Sequence, residues 1–167
     1  GGEGTLSLDN NMKLSGTLMF SSQVTLSSGT VTLNGGLLDV DQNITVGSNL
    51  VHAAGSFIEI EAGKALSYTG QVLNIGNLAL NISGGGTFDN TNNLSIDNAG
   101  SILAISNSTR VSRVLVSASG TGNGMTISDS DNSSSGNLVE NLQLSSSLSV
   151  NSDAAWSVGS ITAGSAL

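Results

Sequence analysis

Apolar residues two apart, with one small or polar residue between them, recur along this chain at intervals of about twenty positions. Leu18-Met19-Phe20 is followed by Leu38-Asp39-Val40, Ile58-Glu59-Ile60 and Leu78-Ala79-Leu80. A second series runs through Leu6, Val24-Thr25-Leu26, Ile44-Thr45-Val46 and Leu66. A third runs through Met12-Lys13-Leu14, Val31-Thr32-Leu33, Leu50-Val51 and Val72-Leu73. Each triplet has the alternation of a half-buried strand. Three short strands per repeat predict a roughly triangular coil in which neighbouring coils bury one another. Corners are marked by Ser27-Ser28-Gly29, Asn34-Gly35-Gly36, Gly47-Ser48-Asn49, Ala54-Gly55 and Thr69-Gly70, residues that tolerate the backbone turns a corner demands.

The spacing loosens after residue 80. Asn81 to Asn93 is rich in Gly and Asn and reads as a looser turn or inserted loop. Strand-like pieces return at Leu94-Ser95-Ile96, Leu103-Ala104-Ile105, Val114-Leu115-Val116, Met125-Thr126-Ile127, Leu142-Gln143-Leu144, Leu148-Ser149-Val150 and Trp156-Ser157-Val158. Leu103, Met125 and Leu148 suggest a longer step, and Asp129 to Gly136 reads as an exposed loop. The expected fold is all-β, a right-handed parallel β-helix (β-solenoid) of about 20–22 residues per coil and roughly eight coils. It forms a single domain over residues 1–167, regular over 1–80 and looser over 81–167. Stacked at about 4.8 Å per coil, the rod would be roughly 40 Å long. A helix fails in any window, because Gly, Ser, Thr and Asn interrupt every candidate. A β-sandwich is the stronger rival, but hairpin-built sheets need not repeat at constant length.

Composition agrees with this picture. Only 10% of residues are charged, while Val, Ile, Leu and Thr are abundant, so the chain can bury surface as strand. There is no Pro, which suits strands that need every N–H in a ladder, and no Cys, which excludes disulfides and thiolate metal sites. The net charge is −8, and Lys13, Lys64, Arg110 and Arg113 cannot form a phosphate-tracking stripe. Nucleic-acid binding and attraction to an anionic membrane are therefore not expected. No apolar run approaches the roughly 18 residues of a membrane-spanning helix, so membrane insertion is not expected either.

The Gly-Thr entries Gly4-Thr5-Leu6-Ser7-Leu8, Gly16-Thr17-Leu18-Met19-Phe20 and Gly29-Thr30-Val31-Thr32-Leu33, with a looser copy at Gly100-Ser101-Ile102-Leu103, give the chain a family texture. It resembles the right-handed parallel β-helices of bacterial surface proteins, the passenger domains of autotransporters and the filamentous-haemagglutinin type of adhesin. That resemblance implies secretion, a bacterial cell-surface or extracellular-matrix location and a scaffold or adhesive role. It carries no functional residue across. The chain begins Gly1-Gly2-Glu3 and shows no capping helix at either end. It is expected to be a segment of a longer chain or a stacking subunit that self-associates end-to-end or laterally.

The repeat spacing also assembles a constellation that no linear motif would join. Asp39 and Glu59 share one outward column, and Asp41 and Glu61 share the next. Four carboxylates so placed form either a solvated acidic corner or an oxygen-only site for Ca²⁺, the one cofactor the sequence suggests. Asp39 and Glu59 also have the spacing a retaining glycosidase needs. Few aromatics are available as a sugar platform, however, and an enzyme is not the expected reading. Gly1-Gly2-Glu3-Gly4-Thr5-Leu6 imitates a calcium β-roll repeat but places Leu6 where the ligand Asp belongs. The column Thr5, Thr25, Thr45 resembles an ice-binding array but breaks at Ala65. His52, the single histidine, is expected at a corner or on the surface, and no Gly-x-Ser-x-Gly elbow accompanies it. Acceptor tripeptides for glycosylation begin at Asn43, Asn81, Asn93, Asn107 and Asn132.

The expected function is structural: a secreted filament, matrix element or adhesin stalk. The alternatives are a module that binds carbohydrate or a host protein, favoured by an exposed aromatic near Trp156 or Tyr68, and a polysaccharide-active enzyme, favoured by a cleft holding Asp39 and Glu59.

Overall fold

The computed structural model describes residues 4–6, 12–14, 17–20, 24–26, 29–76, 78–98, 101–116, 124–127, 136–145, 149–152 and 156–163. Every strand pair in it is parallel, and the described residues contain no helix. The strands stack into three sheets. A 10-stranded sheet contains Gly4–Leu6, Val24–Leu26, Ile44–Val46, Ala65–Tyr68, Thr87–Asn90, Arg110–Val116, Asn137–Leu144 and Trp156–Ala163, with Leu73–Asn74 and Leu94–Ile96 joining at Arg110–Val116. A 7-stranded sheet contains Thr17–Phe20, Leu37–Val40, Phe57–Ile60, Ala79–Ser83, Ile102–Ile105, Gly124–Ile127 and Ser149–Ser152. A 3-stranded sheet contains Met12–Leu14, Thr30–Leu33 and Asn49–His52. The architecture is a parallel β-solenoid.

Alternation sets which side chains turn inward. Val31 and Leu33, Leu38 and Val40, Ile58 and Ile60, and Leu80 and Ile82 are all buried, and the residue between each pair is partly or fully exposed. Stacking these strands in register places like residues over like, so the interior is a set of aliphatic columns. Tyr68 and Phe88 add a stacked aromatic pair with ring centroids 6.0 Å apart.

The register corrects the twenty-residue spacing beyond the third coil. Leu18, Leu38 and Ile58 pair as expected. Ile58 is then paired by Ile82, not Leu78, while Leu80 pairs with Leu103. Thr45 pairs with Ser67 instead of Ala65, and Met125 with Val150 instead of Leu148. The third face also ends early. Leu73–Asn74 does not continue the ladder of Asn49–His52 but pairs with Leu94–Ile96. From Arg110 onward one long strand spans what had been two faces and a corner, pairing with both Thr87–Asn90 and Leu94–Ile96.

Asn81 to Asn93 is not a loose loop. It takes in the end of the strand Ala79–Ser83 and all of Thr87–Asn90, joined by a tight corner at Gly84-Gly85-Gly86. A Cβ on Gly84 would lie 2.4 Å from the Ile60 carbonyl oxygen, and one on Gly86 2.3 Å from Ile60 Cγ2. The glycines are there because the corner lies directly on the coil before it. The expected loop at Asp129 to Gly136 lies outside the described residues except for Gly136, which is exposed.

Buried hydroxyls clamp the other corners. Ser56 Oγ donates to the carbonyls of Leu33 and Ala53 and accepts from the Gly35 N–H. Ser101 Oγ donates to the Gly76 carbonyl and accepts from the Asn98 N–H. Thr109 Oγ1 donates to the Ser106 carbonyl and accepts from the Gly85 N–H. All three residues are fully buried. Backbone groups that a turn leaves without ladder partners are thus satisfied from the neighbouring coil. Asn90 does the same work, donating to the carbonyls of Asn92 and Arg113 and accepting from the Arg113 N–H.

Candidate functional site

The four predicted carboxylates meet on the outward face of the 7-stranded sheet. Leu37–Val40 and Phe57–Ile60 pair with Asp39 opposite Glu59. Each is flanked by buried residues, Leu38 and Val40 on one strand and Ile58 and Ile60 on the other, so alternation forces the acids outward. Asp41 and Glu61 follow at the ends of the two strands, where the Glu61 N–H donates to the Val40 carbonyl at 3.0 Å and extends the ladder. With Gln42 and Gly84 the four acids line one open concavity of ≈ 380 Å³. Gly84 belongs to the tight corner of the next coil, which closes this side of the depression.

The charges are coupled. Burial pushes the Asp39 carboxyl above its ordinary 3.8. The neighbouring carboxylates of Asp41, Glu59 and Glu61 act in the same direction. Among the described residues no three His, Cys, Asp or Glu groups converge as a metal-holding set. The donors are all oxygen and suit a hard cation in kind. What the arrangement can do chemically is attract a positively charged group.

No family model matches this chain, and no curated protein or solved structure does.

Other predicted positions fall differently. Tyr68 is 1% exposed and its Oη accepts from the Leu50 N–H at 3.1 Å, so it offers no surface platform. Among the described residues the exposed aromatic is Phe57, two residues from Glu59 on the same outward face. His52 is not at a corner or on the surface. It points into the core at 8% exposure, paired with Leu33 in the coil before it, and neither ring nitrogen has a hydrogen-bond partner. Alternation contained that signal: Leu50 is inward, and His52 is two residues on in the same strand.

Among the described residues, Arg110 and Glu140 form an exposed ion pair across adjacent coils at 3.2 Å. No helix among the described residues is long and apolar enough to cross a membrane.

Proposed function

We propose that this chain is a structural β-solenoid, a stiff secreted or cell-surface element whose coils continue by self-association into a filament, matrix or adhesin stalk. The observation that carries the reading is Ile161. It pairs with Leu142, which pairs with Val114, which pairs with Leu94. Those three are at most 3% exposed, yet Ile161 is 61% exposed. Among the described residues its strand, Trp156–Ala163, is hydrogen-bonded to one neighbour. An aliphatic column and an open ladder edge together form a template for a further parallel strand. More of the same polypeptide or a second copy would supply one, and head-to-tail contact between copies of that kind does not close on itself.

Sedimentation velocity over a wide concentration range, with electron microscopy of the same samples, tests this. The expected result is growth in particle length that Ile161→Lys abolishes. A rod that stays monomeric at every concentration would overturn the reading.

A second reading, a polysaccharide-active enzyme, is favoured by one observation. Asp39, with its raised pKa, and Glu59 face each other in an open concavity, with Phe57 beside them. Release of reducing ends from acidic or neutral glycans, lost in Asp39→Asn and Glu59→Gln, would favour it over the scaffold.

A further inference from the structure

The aliphatic columns contain one imidazole. Leu33 pairs with His52 from the coil before it and is fully buried, and Leu50, two residues before His52 in the same strand, is buried too. His52 therefore holds an interior position whose neighbours are hydrocarbon. Both its nitrogens are buried without a partner, an arrangement that costs free energy even for the neutral ring and far more for the charged one.

The coil contact at this point also lacks a backbone ladder. The 3-stranded sheet ends at Asn49–His52. The next coil presents Leu73–Asn74, which takes its ladder bonds from Leu94–Ile96 on the far side. In place of a ladder, two side chains bridge the gap. The Leu50 N–H donates to Tyr68 Oη at 3.1 Å, and the Gln71 N–H donates to Asn49 Oδ1 at 3.2 Å. The same two coils remain laddered on both other faces, through Ile44–Val46 with Ala65–Tyr68 and through Phe57–Ile60 with Ala79–Ser83. The rod thus has a local seam, held on either side, with an unpartnered histidine at it.

We infer that His52 is a proton-operated latch, and that protonating its imidazole opens the seam between Asn49–His52 and Leu73–Asn74 while the rest of the solenoid stays closed. Opening gives the imidazolium the water that the closed core denies it. No charged group offsets this. Thr30–Leu33 and Leu73–Asn74, which pack against the strand, carry no ionisable side chain. Tyr68, which touches Leu50, is pushed up from an already high pKa by burial. Asp39 and Glu59 stand on the outward face of another sheet. Burial alone holds His52 below its ordinary 6.5.

The sign follows. The closed seam binds the proton less well than the open one, so closure is complete above about pH 6.5 and weakens as pH falls below it. With an open-state pKa near 6.5, the opening equilibrium rises about ten-fold from pH 7.5 to pH 5.5. Asp39 shifts the opposite way and cannot imitate this, since a raised carboxyl pKa favours the folded state on acidification.

The chain has 1 histidine, so its imidazole NMR signals report one site. The experiment follows those signals from pH 8 to 4.5, together with amide hydrogen exchange corrected for intrinsic rates, in the wild type, His52→Leu and His52→Gln. The expected result is a ring that stays neutral well below pH 6.5, with a roughly ten-fold loss of protection from pH 7.5 to pH 5.5 confined to 49–52 and 71–75. Both variants should lose that pH dependence, and His52→Gln serves if His52→Leu misfolds. A ring that titrates near 6.5 with protection unchanged would overturn the latch. So would an equal pH response in either folded variant, or acid opening that spreads evenly over all coils.

Discussion

Ser56 Oγ donates to the carbonyl of Leu33, a residue 23 positions earlier, and so ties one corner of the solenoid to the coil beneath it. The same oxygen serves Ala53 and Gly35. Replacing Ser56 by Ala strands these groups in a site with 0% exposure. The expected loss is about 1–3 kcal/mol. Urea unfolding of Ser56→Ala measures it, with Ser145→Ala, on an exposed residue, as the control that stays near wild type.

Gly86→Ala tests the tight corner that the sequence presents as a loop. Its Cβ would meet Ile60 Cγ2 at 2.3 Å and the Glu61 carbonyl oxygen at 2.6 Å. The coils would have to part, at about 2–3 kcal/mol. Gly63→Ala, where nothing lies within 4 Å, meets only the strain of φ 78. It is expected to cost about 1 kcal/mol. Thermal unfolding of the two variants should rank them in that order.

Asp39→Asn should stabilise the protein at pH 7 by removing one of four crowded negative charges. The sign follows from the raised Asp39 pKa: the native carboxylate is disfavoured above its pKa, and that cost disappears once the group is protonated. The gain should therefore shrink as pH falls through the carboxyl range and shrink also with added salt. Melting temperatures at pH 7 and pH 4, at low and high ionic strength, check both trends. A cation held by the four acids would reverse the effect, so the same melts in millimolar Ca²⁺ test whether the acids bind calcium. In that case the wild type would gain stability and Asp39→Asn would not.

Arg110→Ala is expected to change stability by less than about 1 kcal/mol. Its partner Glu140 is 3.2 Å away, but the two side chains are 52% and 38% exposed. A shift in the urea midpoint beyond that size would mean the pair holds the long strands Arg110–Val116 and Asn137–Leu144 in register.

Much of the fold was legible because a β-strand's period of two is written directly into the chain. Leu38-Asp39-Val40 and Ile58-Glu59-Ile60 announce inside and outside without reference to anything distant, and their equal spacing placed the carboxylates together. The step length beyond Ile60 was not legible. It depends on how many residues a corner uses, and corners here are set by contacts between coils, such as Gly86 on Ile60, that a constant spacing cannot reveal. The hydroxyl clamps were hidden for a related reason: in a chain this rich in serine, Ser56 and Ser101 look like any other. His52 is polar, and its polarity alone suggests the surface. The strand's own pattern pointed it inward.

The merging of two faces at Arg110–Val116 has a mechanical consequence. A prism with three faces resists bending about equally in every transverse direction. Once two of those faces become one broad strip, the cross-section flattens, and a flattened beam yields more easily across its thin dimension. The part of the rod beyond Arg110 should flex preferentially in one plane, and a lateral load would find its compliant direction there.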